Sequence, residues 1–119
     1  MTREGWKKKI TAATKAAGTY REFFDPVIAT LSDILDKRDK AEKLYQESGG
    51  HAIVKHTNKS GATNLEQNPA LRLINDLNRD ALAYWKELGL TPAGLKKIDD
   101  KALAVKKRNP LAEALKDIG

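Results

Sequence analysis

Two long stripes of apolar residues, both with helical spacing, constrain the fold of this chain most strongly. The first stripe consists of Phe24, Val27, Ile28, Leu31, Ile34, Leu35, Ala41 and Leu44. The second consists of Ala70, Leu73, Ile74, Leu77, Ala81, Tyr84, Trp85 and Leu88. Steps of three and four residues place such side chains on one face of an α-helix. The sequence therefore predicts two amphipathic helices of about 20 residues, each about 30 Å long.

Local signals set the ends of these helices. Pro26 is tolerated only near a helix start, so the first long helix begins at Thr19 or at Pro26, with its firm part after Asp25. The pair Gly49-Gly50 ends it. Asn68-Pro69 supplies a cap and a first-turn proline for the second long helix, and Gly89 is its C-terminal stop.

Shorter helices are predicted on both sides of this pair. Trp6, Ile10, Ala13, Ala17 and Tyr20 form a stripe that predicts a helix over residues 3–17, ended by Gly18. Thr91-Pro92 restarts a helix whose apolar side carries Leu95 and Ile98, and residues 109–119 predict a last amphipathic turn.

The connector, residues 50–67, has a different pattern. Residues 52–57 include β-branched side chains in polar alternation, residues 58–61 are turn-forming, and residues 62–65 fit a return strand. A small β-hairpin is predicted, and an irregular loop is the alternative. Because a lone two-stranded hairpin is barely stable in water, it needs support from a neighbour.

Together these elements predict one all-α domain of 119 residues, a long antiparallel helical hairpin with flanking helices. Its parts are a basic N-terminal helix (1–18), the long helical pair (19–49 and 68–89), the connector (50–67) and a C-terminal helix and tail (90–119). Two helices alone cannot cover both stripes, so the first helix, the short fourth helix or another copy of the chain must cover the rest.

Composition argues against several functional classes. There is no cysteine, which removes disulfides and thiolate chemistry, and no apolar run approaches the roughly 20 residues that span a bilayer. His51 and His56 are five residues apart, which does not fit a two-histidine metal site, and no glycine-rich phosphate loop is present. We expect a soluble, intracellular protein that is not an enzyme and uses no cofactor or metal.

The charge of +6 is concentrated at the two ends of the chain. Residues 1–21 carry six basic residues and one acid. Residues 22–49 carry four basic residues and seven acids, and residues 91–119 carry seven basic residues and four acids. Basic ends around an acidic middle suit contact with DNA, and an uneven lysine surface is the alternative. The candidate DNA-binding residues are Arg3, Lys7, Lys8, Lys9, Lys15, Lys96, Lys97, Lys106, Lys107 and Arg108.

Two local features leave alternatives open. Trp6 lies beside three lysines and either stacks on a base or packs in the core. Residues 85–98 have the rhythm of a helix-turn-helix, with Gly89 in the turn, although Trp85 stands where a small residue is usual. This segment is either a corner of the core or the recognition unit of a sequence-specific regulator.

Residues 20–98 also resemble a known family. Asn68-Pro69-Ala70-Leu71, the helix that follows, and the corner from Glu87 through Leu88-Gly89-Leu90-Thr91-Pro92 to Leu95 resemble small terminase subunits of tailed bacteriophages. The resemblance implies a ring-forming adaptor in the host cytoplasm that binds double-stranded viral DNA and presents it to the large terminase subunit. It also implies contacts between subunits through the long helices, here Phe24, Val27, Leu31, Leu35, Leu73, Leu77, Tyr84 and Trp85.

Overall fold

A computed structural model describes residues 1–101 as a mostly helical chain with one small sheet. Its elements are α1 (Arg3–Ala16), a single 3-10 turn (Glu22–Phe24), α2 (Asp25–Glu47), β1 (Ile53–Thr57), β2 (Thr63–Gln67) and α3 (Pro69–Glu87). A further helix, α4, covers residues 92–101. The predicted last amphipathic turn, in residues 109–119, lies outside the described residues.

The ends of α1 and the start of α3 lie where the sequence predicts them, whereas α2 begins at Asp25, so the alternative start at Thr19 is wrong. The Thr2 hydroxyl accepts from the Gly5 amide at 3.2 Å, and α1 stops at Gly18, whose φ of 74° is the left-handed conformation that glycine adopts readily. Asn68 caps α3 by accepting from the Ala70 amide at 3.0 Å. The same side chain donates to the His51 carbonyl at 3.0 Å, which ties the connector to the helix.

The long helices α2 and α3 run antiparallel, and α1 lies across part of them. The Arg38 guanidinium on α2 donates to the Asn78 side chain on α3 at 3.3 Å. At the N-terminal end of α1, the Trp6 indole contacts Asp39, whereas beyond its C-terminal end the Tyr20 hydroxyl donates to Asp25 at 2.9 Å. The helix α1 is therefore antiparallel to α2 and reaches only to about residue 39.

The reach of α1 divides the molecule into two halves. The proximal half consists of α1, residues 25–39 of α2 and residues 78–88, and the distal half consists of residues 40–77. The core lies in the proximal half, where Ile10, Ile28, Leu31, Leu35, Ala81 and Leu88 are each at most 1% exposed. Full burial of a large aliphatic side chain stabilises the fold by about 1.5–3 kcal/mol, so most of the packing energy resides there.

The distal half ends in the predicted β-hairpin. Strands β1 and β2 pair antiparallel, with Ile53 opposite Gln67 and Thr57 opposite Thr63. The turn is closed by Asn58, whose side-chain oxygen accepts from the backbone amides of Ser60 and Ala62 at 3.1 and 3.0 Å. The irregular-loop alternative is therefore wrong.

At the other end of α3, a tight corner leads into α4. The Thr91 hydroxyl accepts from the Gly94 amide at 3.0 Å and begins α4. A Cβ atom on Gly94 would clash with the Lys86 carbonyl, so the close crossing of the two helices depends on Gly94. The small residue that a helical corner needs is therefore present in α4, and Trp85 packs beside the core instead.

Candidate nucleic-acid interface

The outward face of α1 is the clearest basic surface of the described residues. Ile10 and Thr14 point inward and are fully buried. A shallow depression of about 410 Å³ opens widely to solvent along α1 and is lined by Glu4, Lys7, Lys8, Thr11, Ala12 and Lys15. Helical spacing places Lys8 and Lys15 on the side opposite Ile10, whereas Lys7 lies at the margin of the packed side and is half-buried.

The lysines of α1 and those of α2 differ in their partners. On α2, Lys37 pairs with Asp33 at 2.9 Å and Lys40 with Asp36 at 3.0 Å, both at helical i,i+4 spacing. Within residues 1–101, no carboxylate lies within ion-pair distance of Lys7 or Lys8. The charge of α2 is thus neutralised locally, whereas that of α1 remains available to a polyanion.

A polar cluster around Trp6 fixes the start of α1 on the helical hairpin. The Trp6 indole N–H donates to an Asp39 carboxylate oxygen at 2.8 Å, and the Arg38 guanidinium lies 3.0 Å from the other oxygen. Partial burial raises the pKa of the Asp39 carboxyl, but the hydrogen bonds from Trp6 and Arg38 outweigh it and hold this pKa below its ordinary value. The Met1 ammonium is 3.7 Å from Asp39 and adds to the effect.

Aromatic rings engage two of the candidate DNA-binding lysines. The Lys9 ammonium lies 5.3 Å from the centre of the Trp6 ring, and the Lys15 ammonium lies 5.0 Å from that of Tyr20. Trp6 itself packs against the core and also contacts the Arg38 guanidinium. The core interpretation of Trp6 is therefore supported, and its indole is engaged by this chain's own residues.

The other candidate DNA-binding residues do not join the α1 surface in one depression. Arg3 is exposed in the first turn of α1, one helical turn before Lys7. Lys96 and Lys97 are exposed on α4, where they line a separate open depression with Lys101 and Asp100. Lys106, Lys107 and Arg108 lie outside the described residues.

The residues expected at subunit contacts fall into three groups. Leu31 and Leu35 are 0% exposed in the single chain because α1 and α3 cover them, which corrects their assignment to an interface. Phe24, Val27, Tyr84 and Trp85 are half-buried around the core. Leu73 and Leu77 border an open apolar depression on the long helices, together with Ala41 and Leu44.

Sequence reasoning missed a second basic surface at the corner. Phe23 is 73% exposed and meets the Phe24 ring edge-on, with ring centres 4.8 Å apart. A groove beside these rings is also lined by Lys86, Lys97 and Lys101. The available signal was Phe23, a large apolar residue that lies just outside the predicted stripe, which begins at Phe24.

Two further classes of feature are absent from the described part of the chain. Among residues 1–101, no helix combines the length and apolar character that crossing a bilayer would need. The same residues contain no group of three or more His, Asp or Glu side chains placed to hold a metal ion.

Comparison with known proteins adds one result. The family model described as phage terminase, small subunit, matches residues 3–104. Neither the curated proteins nor the solved structures gave a match. The family match spans α1, the helical hairpin, the connector and the corner, and it therefore covers well over half of the chain. The protein belongs to the family of phage terminase small subunits and is a DNA-binding component of phage DNA packaging.

Proposed function

We propose that the chain binds double-stranded phage DNA through the outward face of α1, as a ring of identical subunits in the host cytoplasm, and presents the DNA to the large terminase subunit. The observation that carries the DNA-binding part is the contrast between the two sets of lysines. The lysines of α2 have carboxylate partners within one helical turn, whereas Lys7 and Lys8 have none among the described residues.

Backbone recognition is the chemistry that this surface supports. Ammonium groups on an open, shallow face can approach phosphates and release condensed counterions, and no deep pocket is needed. The inner side of α1 is fixed by Ile10, Thr14 and the Trp6–Asp39 hydrogen bond. A helix held in this way keeps its lysines in a constant arrangement relative to the hairpin.

The test is a titration of duplex DNA against the triple variant K7Q/K8Q/K15Q over a range of salt concentrations. We expect weaker binding to every sequence and a salt slope shallower by about three, roughly one per lost phosphate contact. The control is K43Q/R79Q, which removes two charges that are paired with acids and lie outside the apolar depression of α2 and α3. Equal loss per removed charge in both variants would show that net charge alone governs binding.

The alternative is a sequence-specific regulator that reads DNA with the corner. It predicts that K96Q/K97Q abolishes binding to one preferred sequence and leaves binding to other duplexes unchanged. The packaging proposal predicts a smaller loss that is the same for all sequences. Fluorescence anisotropy with several unrelated duplexes separates the two, because only base-edge contacts distinguish sequences.

The self-association part of the proposal rests on the distal half. Leu44 and Leu73 are 62% and 50% exposed and border one apolar depression with Leu77. Lys37 and Lys40 flank it on α2, and each is already paired with an acid one helical turn away, so the exposed leucines are what a partner would cover. A second copy placed head-to-tail over this depression would bury Leu44 and Leu73, and such an interface closes into a ring when the rotation permits.

Light scattering on the parent and on Leu73→Asp tests this interface. We expect a defined oligomer for the parent and a folded, much smaller species for the variant, since a buried charge without a partner opposes association. Leu82→Asp is the matched control: Leu82 is 59% exposed on the same helix, nine residues along, and so lies on the opposite side. A parent protein that is monomeric at micromolar concentration would contradict the proposed ring.

A further inference from the structure

The corner between α3 and α4 carries a groove that the DNA-binding proposal does not use. It is lined by the exposed Phe23 ring and by Lys86, Lys97 and Lys101, among other residues, and its volume is about 320 Å³. We call it the aromatic–lysine groove. It is more enclosed than the α1 surface, and it combines an exposed apolar ring with a cluster of cations.

The groove is a fixed feature of the fold. Phe24 packs against the core and meets Phe23 edge-on, which holds the second ring at the surface. The backbone contact between Gly94 and Lys86 fixes the distance between α3 and α4, and the Thr19 hydroxyl donates to the Leu88 carbonyl at 2.8 Å. An exposed ring on such a support can serve as an anchor with little loss of entropy on binding.

Charge decides what kind of occupant the groove fits. Within residues 1–101, no carboxylate lies within ion-pair distance of Lys86, Lys97 or Lys101, and Glu87 is the one acid that lines the groove. An occupant that supplies carboxylates around an apolar side chain would satisfy both the cations and the exposed Phe23 ring.

The tail of the chain and the paired acids of α2 are poor candidates for such an occupant. The segment 102–119 has four basic and two acidic residues, so its charge has the same sign as that of the groove. The acids of α2 in a second copy are already engaged, since Asp33 pairs with Lys37, Asp36 with Lys40 and Asp39 with Arg38. The groove therefore fits a different protein better than another copy of this chain.

Duplex DNA is a poorer fit than a peptide. Its phosphates would suit the lysines, but its bases are stacked inside the helix and cannot stack on the exposed Phe23 ring. An unpaired base could stack on Phe23, so a single-stranded nucleic acid is the other class of occupant that the test must address.

We infer that the aromatic–lysine groove docks an acidic peptide segment of the large terminase subunit, with an apolar side chain of that segment against Phe23. This inference rests on the proposed function, because it takes the large subunit as the partner. It assigns DNA contact and partner contact to different surfaces of one chain, which would allow both to be occupied at once.

The experiment measures affinity for the purified large subunit of the same phage, without DNA, by biolayer interferometry. Phe23→Ala and K97E/K101E should each weaken binding about tenfold or more, as loss of an anchor or of charge complementarity does. Phe23→Leu should retain most of the affinity, because it keeps an apolar contact. Circular dichroism and light scattering verify that each variant keeps the parent fold and assembly.

Two matched variants separate this inference from the proposed function. K7Q/K8Q/K15Q should lose DNA affinity and bind the large subunit as the parent does. K106Q/K107Q/R108Q removes the tail's basic cluster, and it too should leave large-subunit binding unchanged. If the parent binds DNA but not the large subunit, the presentation step of the proposed function fails, and this inference fails with it.

Other outcomes overturn the groove alone. Parent-like affinity for the large subunit in Phe23→Ala would exclude the groove as the docking site. Loss of affinity only in the tail variant would move docking to residues 106–108. If Phe23→Ala and Phe23→Leu instead both abolish binding of a labelled single-stranded oligonucleotide and leave the large subunit bound, the groove is a base-stacking site.

Discussion

The proximal and distal halves of the helical hairpin contain similar apolar stripes but have different surroundings. In the proximal half, α1 supplies a third helix, and Leu31 and Leu35 are completely buried. In the distal half no third helix is present among the described residues, and Leu44 is 62% exposed and Leu73 50% exposed. The same helical pattern therefore stabilises the monomer in one half and leaves an exposed apolar surface in the other, where we propose that subunits associate.

The difference also extends to polar contacts. The proximal half contains the Trp6–Asp39 cluster and the Thr19–Leu88 hydrogen bond, both of which join residues far apart in sequence. The distal half is closed by the β-hairpin, in which Val54 is half-buried and every other strand residue is exposed. We therefore expect the proximal half to determine global stability and the distal half to determine assembly.

The largest expected effect comes from matched leucine-to-alanine substitutions in the two halves. Leu31→Ala removes a fully buried side chain and should lower the free energy of unfolding by about 3 kcal/mol at any protein concentration. Leu73→Ala should lower the free energy of unfolding of the dissociated chain by about 0.5 kcal/mol. The loss should grow as protein concentration rises, because the substitution weakens assembly. Urea unfolding at two protein concentrations measures both.

The proposed difference between the halves would be contradicted if Leu31→Ala and Leu73→Ala changed the free energy of unfolding in the same way. A large, concentration-independent loss for Leu73→Ala would mean that the distal half contributes to the core of the monomer. Leu82→Ala provides the baseline for an exposed leucine on the same helix and should change the free energy of unfolding by no more than about 0.5 kcal/mol.

A smaller effect is expected from Asp39→Asn, which removes the charge that joins α1 to α2. The neutral side chain loses charge-assisted hydrogen bonds from Trp6 and Arg38, and unfolding should become easier by about 1–2 kcal/mol at pH 7. Guanidinium chloride or urea titration monitored by Trp fluorescence measures the loss. If the variant matched the parent, the Trp6 cluster would contribute nothing net to the attachment of α1.

The pH dependence of this effect has a definite sign. The pKa of the Asp39 carboxyl is lower in the folded chain than its ordinary value of about 4. The stability that the Asp39 carboxylate contributes is therefore complete above that ordinary value. The contribution disappears as pH falls through the lower, folded-state pKa. Parent and Asp39→Asn should therefore differ most near neutral pH and converge in acid, whereas a constant difference would assign the effect to something other than charge.

The sequence predicted the elements of this fold better than their partners. Asn68-Pro69, Gly18 and the turn at residues 58–61 act through neighbouring backbone groups, so short-range chemistry was sufficient to locate the helix ends and the hairpin. Leu31 and Leu73 occupy equivalent positions in their stripes, and nothing local distinguishes the one that α1 covers. The interface prediction was therefore wrong for Leu31 and Leu35, whose burial depends on where α1 lies.

The candidate sites show the same limit. Lys8 and Lys15 could be found from the sequence because they stand on the polar side of a clear stripe, and Lys7 because it belongs to the same basic cluster. The aromatic–lysine groove joins Phe23, Lys86 and Lys97 from three separate segments, and they meet only because Gly94 allows α4 to cross close to α3. Such a site depends on tertiary packing, which periodicity along one segment does not report.

The smallest effect is expected at the junction of the distal half, from Asn68→Ala. This change removes the cap of α3 and the hydrogen bond from the Asn68 side chain to the His51 carbonyl, and it should cost about 1 kcal/mol. Because the β-hairpin has few other contacts, amide hydrogen exchange should accelerate in β1 and β2 and change little in the proximal half. Asn78→Ala, which loses one exposed hydrogen bond to Arg38 on the proximal side, is the control. Equal acceleration of exchange in both halves of Asn68→Ala would mean that the chain unfolds as one unit, and the two halves would then differ in exposure but not in stability.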